Sequence, residues 1–231
     1  MGILVDVCNI DLNDEKIFGD LWDFYSEEMK KHNFTSIKGE KEFVMKHFVD
    51  SILALKDENY FKAGDRVLDI GSGGGFPGIP LAVVYKETHF VLLDSVGKKT
   101  RMMEVLKEKF NLKNVSVLNG RAEDFAHVIS HRERYDFVVN RAIAKWSALL
   151  ELSLPFLKVG GRLLAYKGHE SSEDLAMADR IAGVLGAKLV NVHKYELPDE
   201  MGMRSLVSFV KEQLTGNDYP RKMGAIKNRS L

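Results

Sequence analysis

The chain has 231 residues, and its 33 lysines and arginines balance its 33 aspartates and glutamates. A formal net charge of zero gives no general signal for a polyanionic partner, so a nucleic-acid site would have to be a local patch. The one cysteine, Cys8, excludes internal disulfides and a cysteine-based zinc cluster. No stretch reaches transmembrane length, and the acidic N-terminal segment is unlike a secretory signal. We therefore expect a cytoplasmic protein without metal or membrane contact.

The first part of the chain predicts a helical extension. Amphipathic periodicity predicts helices over 13–32 and 40–56, with a short polar break between them. From about Lys62 the pattern changes to short apolar runs that alternate with helical patterns. We therefore divide the chain into an N-terminal helical extension (1–61), an α/β domain (62–213) and a basic C-terminal tail (214–231).

The α/β domain predicts a doubly wound sheet of Rossmann-like type. Continuous apolar runs are typical of parallel strands that are buried on both faces. These runs are Arg66–Ile70, Phe90–Asp94, Val115–Leu118, Asp136–Asn140 and Arg162–Lys167. Helical patterns separate the runs, which implies crossover connections. The helical patterns lie around 77–86, 98–110, 145–157 and 172–185. The last two runs, Lys188–Tyr195 and Ser205–Lys211, have no helix between them and predict a hairpin-like pair with an antiparallel final strand.

The turn after the first strand is dense in glycine. Asp69 lies near the end of the strand, and Gly71, Gly73 and Gly75 follow at alternate positions before Phe76. Glycine lacks a Cβ and reaches positive φ at little cost, so such a turn lets a cofactor lie against bare backbone. The acid at Asp69 favours S-adenosylmethionine, whose charged end is a sulfonium and an amino acid, over the pyrophosphate of a dinucleotide.

The same turn is open to two other interpretations. Gly73, Gly75 and Gly78 also match the spacing of the dinucleotide fingerprint, but that match begins late relative to the strand end. Phe76 and Pro77 would also crowd the path of a pyrophosphate. A glycine-rich turn without a ligand would weaken the local structure with no evident packing reason. Phe76 either packs on the cofactor or lies in the core beneath the turn.

Polar residues follow the other strands, at the edge where an open α/β sheet binds its ligands. Asp94 ends the second strand about twenty residues after the turn, where a carboxylate can accept both ribose hydroxyls, with a helix cap as the alternative. Glu123 follows the third strand and either contacts the adenine edge or favours the N-terminus of the next helix. Arg141 follows the fourth strand at the mouth of the cleft, and Lys167 ends the fifth.

Several of these segments are shared with one known family. They are Asn33–Ile37, His47–Ser51, Asp69–Pro80, Gly120–Asp124, Arg141–Ala142 and Tyr219–Lys222. With these segments spread over nearly the whole chain, the sequence resembles the bacterial small-subunit ribosomal RNA guanine-N7 methyltransferases, historically called glucose-inhibited division protein B. It departs from the usual pattern of that family at Met29–His32 and at Gly224–Ile226, which affects RNA docking more than the reaction.

The resemblance implies a class I methyltransferase fold and a reaction. It implies that S-adenosylmethionine binds at Gly71, Phe76, Ala122, Glu123 and Arg141, and that the substrate is a guanine of the decoding-region loop in 16S ribosomal RNA. Guanine N7 carries a lone pair and no proton, so its methylation needs no general base, and catalysis would come from alignment. Arg141 is the candidate catalytic residue, which would position the methionine end of the cofactor or the guanine.

The basic tail adds a candidate RNA contact. Tyr219 can stack on a base, and Arg221 and Lys222 can contact phosphates, with a solvated charged surface as the alternative. We expect removal of residues 218–231 to weaken RNA capture and to spare cofactor binding. His47 and Asp50 lie three residues apart on one helix, which predicts a hydrogen bond or helix packing rather than metal ligation.

Other functions compatible with the sequence are a methyltransferase for a small molecule or a protein, a cofactor-binding regulatory module without catalysis, and an NAD-dependent oxidoreductase, which Asp69 disfavours. The expected partner is 16S ribosomal RNA or the small ribosomal subunit, and the expected state of the protein is a monomer.

Overall fold

The fold is built around a central seven-stranded sheet. The computed structural model describes residues 2–8, 10–31, 37, 39–55, 60–141, 143, 145–229 and 231. The strands are β1 (Arg66–Ile70), β2 (His89–Asp94), β3 (Val115–Asn119), β4 (Tyr135–Arg141), β5 (Leu157–Lys167), β6 (Ala187–Glu196) and β7 (Met203–Lys211). All seven predicted strands are therefore present, although β5 begins at Leu157 instead of the predicted Arg162 and several other ends shift by one or two residues.

The order of the strands is β3-β2-β1-β4-β5-β7-β6. The neighbouring pairs from β3 to β5 are parallel, whereas β7 runs antiparallel to both β5 and β6. The predicted antiparallel final strand is confirmed. The hairpin β6–β7 is present as well, but it folds back so that the last strand lies inside the sheet and β6 forms the edge.

Helices cover both faces of the sheet. They are α1 (Ile3–Cys8), α2 (Leu12–Lys31), α3 (Glu40–Phe43), α4 (Asp50–Leu53), α5 (Gly78–Val84), α6 (Gly97–Lys109), α7 (Ala122–Phe125), α8 (Trp146–Ser153), α9 (Ser172–Val184) and α10 (Met223–Asn228). A π-helical turn, Val44–Val49, joins α3 to α4, and a 3-10 turn, Leu154–Phe156, follows α8. None of the helices in the described part of the chain combines the length and the apolar content that a bilayer crossing requires.

The structure adds to the predicted helices and refines them. The helix predicted over 13–32 is α2, and the helix predicted over 40–56 consists of α3, the π-helical turn and α4. Residues 32 and 56 lie outside the described residues. Two short helices, α1 and α10, were not predicted, because a helix of one or two turns gives too few apolar positions to show a period. Helix α7 begins beside Glu123, where the alternative interpretation of that residue placed a helix N-terminus.

The N-terminal helices pack on one face of the sheet, next to the glycine turn. Their aromatic rings form a cluster in which Tyr25 lies 5.0 Å from Phe76 and 5.2 Å from Phe43 between ring centroids. The hydroxyl of Tyr25 donates a hydrogen bond of 2.6 Å to the carbonyl of Gly74. Helices α8 and α9 cover the opposite face, where Trp146 packs against Phe209 of β7. The N-terminal extension therefore packs directly against the glycine turn and stabilises it.

The C-terminal tail is folded against the α/β domain. Thr215 and Pro220 are buried, and Ile226 of α10 is 2% exposed. The guanidinium of Arg132 donates to the carbonyls of Thr215 (2.7 Å) and Tyr219 (2.9 Å). The tail thus has a fixed course over the domain, which its turn-rich sequence did not predict.

Candidate active site

A cavity of about 490 Å³ opens at the carboxyl ends of β1, β2 and β3. It brings together four residues that the sequence predicts for the cofactor: Gly71, Asp94, Ala122 and Glu123. This is the edge at which a doubly wound sheet binds its ligands, because the loops after parallel strands diverge there. The wall also includes residues that the sequence analysis did not single out for the cofactor, namely Ile143, Lys145, Ala148, Leu152, Met223 and Lys227.

Asp69 lies fully buried beneath the glycine turn and is not part of the cavity wall. Its Oδ2 accepts hydrogen bonds from the hydroxyl of Ser72 (2.6 Å) and from the backbone N–H of Gly78 (2.9 Å). Its Oδ1 is buried and has no hydrogen-bond partner among the described residues. Burial raises the pKa of Asp69 to about 6, and the two hydrogen bonds oppose that rise. One oxygen therefore shapes the turn, and the other can accept from a ligand or water.

The glycines of the turn serve two different purposes. Gly71 has a φ of +71°, and a Cβ there would meet no atom within 4 Å, so its backbone faces open space. At Gly75 a Cβ would lie 2.6 Å from Ile79, and at Gly78 it would lie 2.2 Å from Leu92. The packing reason that the sequence did not reveal is therefore present for Gly75 and Gly78. Gly71 is the position that fits close approach of a cofactor.

Asp94 lies in the cavity wall with both of its oxygens engaged. Oδ2 accepts from the backbone N–H of Gly73 (2.9 Å), and Oδ1 accepts from the backbone N–H of Val96 (2.8 Å). The ammonium of Lys99 lies 3.9 Å from Oδ2. A carboxylate has about four acceptor sites, so these contacts orient Asp94 and leave lone pairs for ribose hydroxyls. Asp94 is not the N-cap of α6, a position that Val96 holds, so the helix cap that the sequence left as the alternative is wrong. The ribose contact stays a prediction.

Glu123 and Ala122 form the first turn of α7, beside Asp94 in the cavity wall. Glu123 is 7% exposed, whereas its neighbour Asp124 is exposed and pairs with Lys222 at 2.6 Å. The two acids predicted to follow β3 therefore separate in function. Glu123 can contact the adenine edge, and Asp124 holds the tail.

Phe76 and Arg141 lie away from this cavity wall. Phe76 is 6% exposed and stacks on His47 with ring centroids 4.3 Å apart. The guanidinium of Arg141 lies 5.5 Å from the centre of the Phe76 ring. The structure thus places Phe76 in the core beneath the turn, which is the alternative that the sequence left open. Cofactor contacts of Phe76 and Arg141 stay predictions.

Arg141 connects the end of β4 to the N-terminal helices. Its Nη1 donates to Asp50 Oδ2 and to the carbonyl of Lys46, each at 3.0 Å, and its Nη2 lies 3.1 Å from His47 Nδ1. Burial and the nearby cations lower the pKa of His47 to about 3, so the ring is neutral and can accept from Arg141. The predicted packing role of His47 and Asp50 therefore works through Arg141. Ala142 of the predicted Arg141–Ala142 segment lies outside the described residues, as do 33–36 of the first similar segment.

A second cavity of about 600 Å³ adjoins the first, and Ile143 lines both. Arg141, Arg204 and Tyr195 belong to its wall, with Lys167 and His169 at the end of β5. The hydroxyl of Tyr195 donates to Asp50 Oδ1 at 2.9 Å, and Arg204 Nε lies 3.9 Å from the same oxygen. No local sequence pattern indicated Tyr195 or Arg204, because their β6–β7 hairpin is remote from the glycine turn in the chain.

The tail residues predicted to bind RNA are held by the protein itself. Arg221 forms a two-pronged contact with Glu151, from Nε at 2.8 Å and from Nη2 at 2.7 Å. Tyr219 is half-buried and packs on the side of the sheet that helices α8 and α9 cover. Lys222 is paired with Asp124, yet 79% of its side chain is exposed. RNA contacts by these residues stay predictions, and Lys222 is the most accessible of the three.

The site fits the predicted cofactor. The unobstructed backbone at Gly71 and the carboxylates of Asp94 and Glu123, which all lie in the cavity wall, suit a ligand with a cationic end and ribose hydroxyls. Within the described ranges, no group of three or more histidine, cysteine, aspartate or glutamate side chains could hold a metal ion.

Comparison with solved structures defines the class of the fold. The structure of M. jannaschii TYW2 in complex with AdoMet is similar with a TM-score of 0.57, over 76% of this chain and 77% of that chain, at 15% identity. At this identity the likeness establishes the fold alone. The strand order and this likeness show a Rossmann-like, doubly wound fold of the type found in class I methyltransferases, and the predicted fold class is confirmed.

Sequence comparison identifies the family. The family described as "GidB: rRNA small subunit methyltransferase G" matches residues 17–203. A protein named Ribosomal RNA small subunit methyltransferase G from Clostridium botulinum (strain 657 / Type Ba4) is 37% identical over 100% of this chain and 98% of its own length. The protein of the same name from Oenococcus oeni (strain ATCC BAA-331 / PSU-1) is 41% identical over 90% and 86%. The chain therefore belongs to the rRNA small subunit methyltransferase G family, which confirms the predicted enzyme class and its cofactor, S-adenosylmethionine.

Proposed function

We propose that the protein transfers the methyl group of S-adenosylmethionine to N7 of one guanine in 16S ribosomal RNA, within the decoding-region loop of the small subunit. Family membership over most of the chain supports ribosomal RNA as the substrate. The observation that carries the proposal is the junction of the two cavities at Ile143. One cavity holds the predicted cofactor residues, and cationic side chains line the other.

The first cavity would hold the cofactor through residues of three elements, namely the glycine turn, β2 and α7. Gly71 offers its bare backbone, Asp94 the acceptors for ribose, and Ala122 and Glu123 the contacts to adenine. The bound cofactor supplies a methyl group on a sulfonium, which is electrophilic without further activation. Asp69 keeps the turn in shape through Ser72 and Gly78.

The second cavity would hold the acceptor nucleotide. Arg141, Arg204 and Lys46 lie in its wall, and so do the carboxylates of Asp50 and Glu170, with Arg141 and Asp50 paired at 3.0 Å. The guanidinium planes can stack on an unpaired base. A guanine that leaves its stack can thereby be brought to the junction with the first cavity. Since N7 has a lone pair and no proton, the protein has to align the reacting atoms and exclude water, and it needs no general base. Arg141 is fixed on three sides, which suits a group that holds an orientation.

The test is methyl transfer to small ribosomal subunits from cells that lack this protein. With S-adenosylmethionine labelled in the methyl group, we expect the label in 16S ribosomal RNA as 7-methylguanosine, and little label in subunits from wild-type cells. Asp94→Ala should abolish most of the transfer. The exposed Arg134, which lies at the opposite end of β4, provides the control variant Arg134→Gln, with unchanged transfer. Label in a metabolite or a protein in place of RNA, or cofactor binding without any product, would contradict the proposal.

We also propose that the protein acts as a monomer in the cytoplasm and without a metal ion. Transfer to N7 requires no activated water, which supports activity in the presence of a chelator. Light scattering on the eluting protein tests the oligomeric state, and the methylation assay with EDTA tests the metal requirement. For the tail, the exposed ammonium of Lys222 supports a phosphate contact at the rim of the cofactor cavity.

A further inference from the structure

The C-terminal strap, which we define as residues 219–228, passes over the rim of the first cavity. Helix α10 of the strap places Met223 and Lys227 in the cavity wall. Ile226 on the same helix is 2% exposed and packs into the domain. The cavity assigned to the cofactor is therefore bounded in part by the last helix of the chain.

Glu151 of α8 fixes this strap. Its carboxylate is fully buried, and it accepts from the backbone N–H, the Nε and the Nη2 of Arg221 at 2.8, 2.8 and 2.7 Å. A buried carboxylate is costly unless it is paired, and the bidentate arginine contact is the strongest pairing geometry. Ala148 and Leu152 of the same helix line the cavity, so Glu151 connects one part of its wall to another.

The strap is also held from the other side of the cavity. Lys222 pairs with Asp124, which follows Glu123 in α7. The ring of His127 lies 2.9 Å from the carbonyl of Pro220. Helices α7 and α8, which both contribute residues to the cavity wall, therefore contact the strap, and displacement of the strap would open the rim between them.

We infer that Glu151 is a positioning residue for the cofactor and acts through Arg221 and the strap. The inference rests on the proposed assignment of the first cavity to S-adenosylmethionine. It differs from the expectation drawn from the sequence, in which the tail captures RNA and its removal spares cofactor binding. A strap that forms the cavity wall contributes to the affinity for the cofactor, whereas an RNA contact contributes to the affinity for the ribosomal subunit.

Two variants test this role by separate routes. Glu151→Gln keeps the shape of the side chain but removes the charge that holds Arg221, and Met223→Ala trims the wall and leaves the anchor intact. With calorimetry on S-adenosylhomocysteine, we expect Kd to rise about ten-fold or more for Glu151→Gln and about three-fold or more for Met223→Ala. KM for the cofactor should rise in proportion, while kcat at saturating cofactor changes by less than about two-fold.

Matched controls keep the test decisive. Met177→Ala removes a half-exposed methionine of α9, and Arg134→Gln removes an exposed arginine, and both should leave the cofactor Kd unchanged. If Glu151→Gln fails to fold by circular dichroism, Arg221→Lys, which keeps the positive charge and removes the two-pronged contact with Glu151, takes its place as the test of the anchor. An unchanged cofactor Kd in a folded variant, or a rise confined to KM for the subunit, overturns the inference. Failure of the wild-type protein to bind the cofactor would instead refute the proposed function.

Discussion

Replacing Arg141 by methionine tests whether the residue predicted as catalytic also joins the N-terminal helices to the sheet. Methionine keeps an apolar stem of similar length but has no donor for Asp50, for the carbonyl of Lys46 or for His47. It also loses the contact of the guanidinium with the Phe76 ring. All four partners belong to the N-terminal extension or to the glycine turn, so the substitution would weaken the packing of the extension against the sheet.

The magnitude follows from the burial of the ion pair. The side chain of Arg141 is 17% exposed and that of Asp50 is 6% exposed. Removal of one partner from a buried pair leaves an uncompensated charge and costs about 3–5 kcal/mol. Asp50 keeps the hydroxyl of Tyr195 at 2.9 Å and Arg204 at 3.9 Å, which places the cost at the lower end. We expect Arg141→Met to lower the free energy of unfolding by about 3 kcal/mol at pH 7.

Urea unfolding of Arg141→Met, Asp50→Asn and the double variant measures the pair. We expect the double variant to lose less than the sum of the single variants by about 2 kcal/mol, because the two groups interact directly. Arg134→Gln, at an exposed position, should stay within about 0.5 kcal/mol of the wild type. A loss below about 1 kcal/mol for Arg141→Met together with full additivity would refute the structural role. Arg141 would then be a group of the site alone.

Three further predictions concern the same region. His47 has a pKa of about 3 in the folded protein and about 6.5 in the unfolded chain, so its contribution to the free energy of unfolding is complete above pH 6.5 and is lost as the pH falls towards 3. Between pH 6.5 and 5 the wild type should lose up to about 1.4 kcal/mol of stability per pH unit more than His47→Gln. Equal slopes of the two proteins in urea unfolding would contradict this. Burial raises the pKa of Asp69 to about 6, so its contribution to the free energy of unfolding is complete below about pH 3.8 and is lost as the pH rises through 6. Asp69→Asn should therefore become more stable relative to the wild type as the pH rises from 4 to 7, while it loses affinity for the cofactor. Calorimetry that finds unchanged cofactor affinity at pH 8 would exclude the carboxylate as a cofactor group. Gly71→Ala should lower the free energy of unfolding by about 1–2 kcal/mol, because the residue has a positive φ, and should weaken cofactor binding. Gly78→Ala should lower it by about 3 kcal/mol or more, because the new Cβ clashes with Leu92. Thermal unfolding with and without S-adenosylhomocysteine separates the two effects, and equal stability losses would be the contrary result.

The strands could be predicted because their physical signal is local. Val67–Ile70 are buried on both faces of the sheet, so the strand reads as a continuous apolar run, and β1 has the predicted bounds. The place of β7 between β5 and β6 depends on packing between distant segments, which no local pattern carries. The strand-end positions Asp94 and Glu123 were predictable for a similar reason, since their location follows from the topology of the sheet.

The parts of the site that escaped prediction depend on long-range partners. The contacts of Arg141 come from a helix more than ninety residues earlier in the chain, as the separation of 95 from Lys46 shows. Glu151 did leave a signal, because a lone acid within the apolar segment Trp146–Leu154 predicts a buried cation partner. The identity of that partner, Arg221, could be read only from the folded tail.

The π-helical turn at Val44–Val49 determines which carbonyl meets Arg141. The backbone N–H of Asp50 donates to the carbonyl of Met45, five residues back, instead of that of Lys46 as in an α-helix. The Lys46 carbonyl can then accept from the guanidinium. Deletion of one residue here would restore the α-helical repeat and turn the preceding helix by about 100° about its axis, carrying Phe43 away from Phe76. This turn can therefore accept substitutions, whereas an insertion or a deletion in it would misplace the N-terminal helices.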